Sequence, residues 1–342
     1  MKEWTQKEKK QFVIFAAVNF GMTIIMGILM GISYYMGNDV TAFPMAQMMY
    51  PAAGVILARM LTADKEEKLP SKFFVTHLVT AGTAVLLTVG GMFTSPEMGY
   101  LIENYVIIAG SIIGLIMLLC EKKDVKERFG LRFKGHHVGL SLWMMLLFLV
   151  LYIARLLLSG LTDGSAGEVA ALFASPATWG MMALLAVTFF LSYNVFWGEE
   201  YGWRFFMQPL FQKRFGLKAG VILLGVIWGL WHIPINIFYY SPDTWIYSIL
   251  LHQITCITLA VFFGYAYRKT GNVWVPVVMH YINNNMAMVV TGSADLGNNV
   301  YGWKDVLVLL AVNGIAFMPF LFSRVYREKE SESDMGQQVQ EI

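Results

Sequence analysis

Charge is what this sequence has least of. Asp, Glu, Lys and Arg make up 14% of the 342 residues, against about 25% in an ordinary soluble domain. A chain so poor in charge is not a water-facing globule. Cysteine is nearly missing too. Cys120 and Cys256 lie far apart in apolar runs, which excludes a disulfide framework and a thiolate metal site and leaves both as buried packing residues. No internal repeat and no low-complexity segment is present. The first apolar run is too long, and lacks the small-residue cleavage site, for a removable signal peptide. The net charge of +2 says little about partners, and nucleic acid is not expected among them.

What the chain has is apolar length. It is 57% hydrophobic, with a mean hydropathy of +0.55. A bilayer-spanning helix needs about 20 mostly apolar residues, and the runs here are too long for barrel strands. The fold expected is all-α, a polytopic membrane helix bundle of about ten transmembrane helices near 12–35, 42–61, 73–93, 105–120, 138–159, 178–200, 219–238, 245–267, 273–291 and 305–323. Lys and Arg set the orientation. They collect before the first span (Lys2, Lys7, Lys9, Lys10), in the second loop (Lys65, Lys68, Lys72) and in the fourth, "EKKDVKERFGLRFKGHH". They recur in the sixth (Lys213, Arg214, Lys218), the eighth (Arg268, Lys269) and the tail (Arg324, Arg327, Lys329). Odd loops such as "TSPEMGYLIEN" and "YYSPDT" carry none, and Lys304 alone breaks the pattern. Both termini are therefore expected in the cytoplasm. The basic fourth loop reads as topology signal, with contact to anionic lipid the alternative.

The polar oddities inside the spans begin after about residue 190. Residues 1–170 form an N-terminal helical region without a motif. There "GILMG", Gly27–Gly31, is a small-residue packing face. Residues 171–325 form the core that holds the chemistry, and 326–342 a disordered cytoplasmic tail.

Ionisable residues within membrane spans are functional candidates by default, and three clusters qualify. In "FWGEEYGWRFFMQPL", Glu200 and Arg204 are four apart, share a helix face and can pair. Glu199, turned about 100° away, is left to face a cavity. Charges at the cytoplasmic end of a span are the plainer explanation. In "WGLWHIPIN", Trp228, His232 and Asn236 recur every four residues, and Pro234 should loosen the helix by removing a backbone donor. A lone histidine there reads more simply as a hydrogen-bonded core residue. In "NVWVPVVMHYINNN", Pro276, His280 and Asn284 share a face, while Asn283 and Asn285 point elsewhere. Taken together, a glutamate beside a histidine can activate water, and a histidine four residues from an amide can donate to a developing oxyanion. That is a toolkit for amide hydrolysis.

These residues carry a resemblance. "EEYGWRFFMQPL" resembles the EExxxR motif of the CAAX-protease and bacteriocin-processing family (CPBP or Abi, type II CAAX endopeptidase-like). "IWGLWHIP" resembles its FxxxH motif and "HYINN" its HxxxN motif, in the family's order, over roughly residues 178–291. Trp228 stands where the family usually has Phe, and Phe205 where many relatives have Gly. The resemblance implies an intramembrane endopeptidase cleaving a membrane-associated protein or peptide, lipidated or not. Glu199 and His232 would activate the water, His280 and Asn284 would stabilise the oxyanion, and Glu200 and Arg204 would support them. No HExxH is present, yet Glu199, His232 and His280 can supply three zinc ligands; metal-free chemistry is the expectation. A bacterial plasma membrane is the expected location, with Glu199 and His280 in its cytoplasmic half.

Two other classes compete. A non-catalytic immunity or regulatory protein would bind a peptide or membrane partner with the same residues, although the full catalytic set is present here. A transporter would show paired repeats with broken helices, and none is found.

Overall fold

The computed structural model describes residues 2–133, 137–292 and 296–327. The expected disordered tail therefore lies outside the described residues from 328 onward. Every regular element among the described residues is helical. In chain order they are α1 Gln6–Tyr35, α2 Ala42–Gln47, α3 Tyr50–Thr62, α4 Ser71–Phe93, α5 Pro96–Cys120, α6 Lys123–Arg128, α7 Val138–Asp163 and α8 Ala166–Ala174. Next come α9 Pro176–Glu200, the π-helical stretch Tyr201–Met207, α10 Gln208–Phe215 and α11 Leu217–Trp231. A short turn α12, Ile233–Ile235, passes into a second π-helical stretch, Asn236–Tyr240, and α13 Trp245–Thr270, α14 Trp274–Thr291 and α15 Trp303–Phe317 follow.

Seven of these helices are long and apolar enough to cross a membrane, or eight if the bent pair Leu217–Trp231 and Ile233–Tyr240 counts as one span. The other runs expected to span fall short of that length and hydropathy for local reasons. The run at 42–61 is split between α2 and α3 near Pro44 and Pro51. The run at 273–291 forms α14, whose central asparagines dilute its hydropathy. The span expected to end at 200 continues through the π stretch to Phe215 as one helical span. Glu199 and Glu200 are thus interior residues, and a charge cluster at a helix end is ruled out.

The basic segments meet on one face. Lys213 pairs with Glu8 at 2.7 Å, and Lys7 pairs with Asp64 and Glu67, each at 3.2 Å. Asn272 donates to the Phe133 carbonyl and Arg268 to that of Val325. The N-terminus, the even-numbered loops and the last described turn therefore share one end of the bundle.

On the chain's way back from that end, Gly216 separates α10 from α11 with a φ of 86°, a value that favours glycine. Glu199 and His232 lie at near-equal distances on either side of it, on the order of 24 Å of helix. Trp228, one turn before His232, donates to Glu199, so the two arms meet there. A 42° bend at His232 breaks the helix there, as Pro234 led us to expect. Asn236 stays one turn beyond His232, its N–H and its side-chain amide both donating to the His232 carbonyl, at 3.0 and 2.9 Å.

The N-terminal helices hold this bend in place. A Cβ on Gly27 would come within 2.8 Å of Pro234, and one on Gly31 within 2.9 Å of Phe238. The "GILMG" face is thus the seat of the bend. Asn19 accepts from Trp231 at 3.0 Å, and Gln47 donates to the Trp231 carbonyl at 2.9 Å. Buried side chains from Phe15 to Phe317 form one continuous core.

Candidate active site

The two glutamates divide as their spacing requires. Glu200 is completely buried and lies 3.1 Å from Arg204 Nε, one turn on. The contact is charge against charge rather than an aligned hydrogen bond. The guanidinium instead spreads over aromatic rings, its carbon 4.6 Å from the centroid of Trp228 and 5.4 Å from that of Phe263, an arrangement that favours a cation in a dry setting. The other Glu200 oxygen accepts from His280 Nδ1 at 2.9 Å. Glu200 therefore bridges an arginine on its own helix and a histidine on α14.

Glu199 is also buried, but its partners are indoles. One oxygen accepts from Trp228 Nε1 at 2.8 Å and Trp203 Nε1 at 3.2 Å. Among the described residues, only that oxygen is engaged. Among the described residues no cation lies within ion-pair distance of the carboxylate, His280 acting on its charge from further off, and its second oxygen is left for another donor.

His232 closes the end of α11. Its Nδ1 lies 2.8 Å from the Trp228 carbonyl. A carbonyl only accepts, so Nδ1 carries the proton and Nε2 is the basic nitrogen of the neutral ring. The same bond keeps Nδ1 from acting as a base toward Cys256, whose sulfur lies 3.8 Å away. A cysteine–histidine nucleophile is not set up here. By the same logic His280 donates Nδ1–H to Glu200 and presents Nε2 on its other side.

Trp228 is the hub of the three clusters. Its ring centroid is 6.1 Å from that of His232 and 5.6 Å from that of His280, while its N–H reaches Glu199. The two imidazoles are therefore within about 12 Å of each other, a span that one bound substrate group can bridge. Asn284, one turn beyond His280, accepts at its oxygen from Asn283 Nδ2 at 3.0 Å, and Asn285 donates to the Tyr281 carbonyl at 2.9 Å. With its oxygen occupied, Asn284 keeps its NH2 as a donor.

Among the described residues, no three His, Cys, Asp or Glu side chains are grouped to hold a metal ion. His232 and His280 each donate Nδ1–H and keep Nε2 free, which suits a general base and a metal ligand alike, while two indole N–H groups rather than a cation meet the engaged oxygen of Glu199. No step is routed through a metal.

Three features of the site were missed in the sequence. Trp203 lies four residues after Glu199, the spacing that identified the Glu200–Arg204 pair, so the same rule would have found it. The Glu200–His280 bond joins residues 80 positions apart and has no local signal. The π-helical turn over Tyr201–Met207, a widened turn often found at functional sites, is encoded by no residue type.

No curated protein and no solved structure matches the chain. Residues 179–286, the stretch that holds Glu199, Glu200, Arg204, His232, His280 and Asn284, match the family model for type II CAAX prenyl endopeptidases, Rce1-like, and through this segment the resemblance to the CAAX-protease family is shown.

Proposed function

We propose that this integral membrane protein is an intramembrane endopeptidase in which the two adjacent glutamates do different work. Glu199 is the general base. It takes a proton from a water while His232 Nε2 orients that water. The water oxygen bonds to the scissile carbonyl carbon, and negative charge develops on the carbonyl oxygen. His280, protonated on both nitrogens, donates Nε2–H to that oxygen, with Glu200 holding the opposite side of its ring. The Asn284 amide supplies a second donor. When the C–N bond breaks, the proton held by Glu199 passes to the departing amine. The observation that carries this reading is the bridge of Glu200 to both Arg204 and His280, which leaves Glu199 as the carboxylate with an uncommitted oxygen.

The substrate proposed is a membrane-associated protein or peptide bearing a prenyl group near the cleavage point. The matched family description supports this. The site belongs to a bacterial plasma membrane, with the basic face of the bundle in the cytoplasm, because Lys and Arg collect on the cytoplasmic side of membrane proteins. The reaction is proposed to be metal-free, on the donor arrangement around Glu199. The test is cleavage of matched farnesylated and unmodified peptides by the purified chain in liposomes, followed by mass spectrometry. New termini from the farnesylated peptide alone would support the substrate class. No cleavage of either, with a folded protein, would favour the non-catalytic immunity or regulatory reading.

A further inference from the structure

We propose that His252 is a positioning residue of this site, a ring that fixes the plane in which His232 presents Nε2. The proposal rests on the endopeptidase reading above. His252 lies on α13, outside all three motifs. Its imidazole stacks on that of His232 at 4.8 Å and 29°, and on its other side on the Tyr240 ring at 4.8 Å and 22°. The result is a column of three rings drawn from three segments: the bend, the second π-helical stretch and α13.

A histidine ring held at one nitrogen can still pivot, because its χ2 torsion is broad. The Trp228 carbonyl fixes the position of Nδ1 but not the ring plane. The column supplies that second restraint on one face. Trp231 meets the same ring edge-on, at 4.9 Å and 89°, and is itself held by Asn19.

The backbone is arranged so that α13 can reach the bend. A Cβ on Gly225 would lie 2.6 Å from Ile257 Cα, and one on Gly229 would lie 2.7 Å from the Gln253 side chain. "GVIWG" is thus a small-residue face along which α11 and α13 pack closely. At the far end of the column, Asn298 N–H donates to the Tyr239 carbonyl and Asn299 N–H to the Tyr240 carbonyl, at 3.0 and 2.8 Å. Tyr240 is therefore anchored by its backbone. The assembly is more elaborate than filling a gap beside His232 requires, and it acts on a degree of freedom that matters for proton transfer.

The test compares His252→Phe, His252→Leu and His252→Ala in the full-length purified chain. Phe keeps a stacking plane, Leu keeps bulk without one, and Ala removes both. His252→Phe should hold kcat within about threefold of wild type. His252→Leu and His252→Ala should lower kcat roughly 10–100-fold at nearly unchanged KM, since misplacing a catalytic group by about 1 Å costs on that order. A second readout needs no turnover: the rate at which diethyl pyrocarbonate modifies His232, resolved by peptide mass spectrometry. It should rise in the Leu and Ala variants and stay at the wild-type level in the Phe variant. Wild-type kcat and an unchanged His232 modification rate in His252→Leu would overturn the proposal. So would a Phe variant as impaired as Ala. If the wild type cleaves no peptide, the endopeptidase reading fails by itself. The modification rates then still decide the stack, and an unchanged rate in His252→Ala would sink it.

Discussion

At the scale of single residues, the site is an arrangement of partners. Two neighbouring carboxylates differ because Glu200 takes a guanidinium and an imidazole while Glu199 takes two indole N–H groups. Removing one member of a buried ion pair costs about 3–5 kcal/mol because the remaining charge is stranded. Arg204→Ala is therefore expected to lower the melting temperature and abolish turnover together. Arg204→Lys should recover little, since a compact ammonium cannot spread over Trp228 as a guanidinium does. An unchanged melting curve for Arg204→Ala would refute the supporting role. Trp203→Phe keeps an aromatic ring but deletes one donor to Glu199. A hydrogen bond to a charged group is worth about 1.5–3 kcal/mol, so kcat should fall at least about tenfold while the protein stays folded. The Glu200–Arg204 pair was legible in the sequence because helical spacing alone determines it. The partner of Glu200 on α14 was not, because only the packing of α9 against α14 brings His280 to it.

At the scale of elements, the glycines decide which helices can touch. Gly27 has Pro234 against it, whereas Gly21, on the same helix, has nothing within 4 Å of the position a Cβ would take. Gly21→Ala is expected to be neutral or to stabilise by up to about 1 kcal/mol, the usual preference for Ala within a helix. Gly27→Ala should destabilise by about 1–3 kcal/mol through overpacking and should also lower kcat, because the side chain would press on the bend that carries His232. Equal stability and activity in the two variants would show that α1 does not seat the bend. The break at His232 was legible in the sequence, since Pro234 withholds a backbone donor. The widened turn after Glu200 was not. The continuation of that helix to Phe215 was also missed, because the charges at Glu199, Glu200 and Arg204 look like a helix end until their burial is known.

At the scale of the whole molecule, the sequence foretold an all-helical membrane bundle, in which seven helices, or eight with the bent pair, are by themselves long and apolar enough to cross. Hydropathy treats every apolar run alike, whereas the prolines near α2 and α3 and the asparagines of α14 make segments that lie within the bundle yet fall short of independent spans. The clustering of basic segments was readable from charge alone, and the contacts of Lys213 with Glu8 and of Arg268 with Val325 place them at one end. Reporter fusions following Arg327 and inserted after Asn38 should give cytoplasmic and extracytoplasmic signals respectively. Signals from the same side at both positions would contradict this topology. The N-terminal region carries no motif, but its contacts with Pro234, Phe238 and Trp231 make it the support for the bend.

The central claim is that Glu199 performs the chemistry and Glu200 positions His280. It is tested most directly by turnover of one cleavable farnesylated peptide by wild type, Glu199→Gln and Glu200→Gln, purified alike and shown to be folded, each with and without a chelator. Glu199→Gln should have no measurable turnover. Glu200→Gln should keep a residual rate, because its amide oxygen can still accept from His280, and the chelator should leave the wild type unaffected. Full activity in Glu199→Gln would contradict the mechanism, and activity lost to the chelator and restored by zinc would contradict its metal-free form.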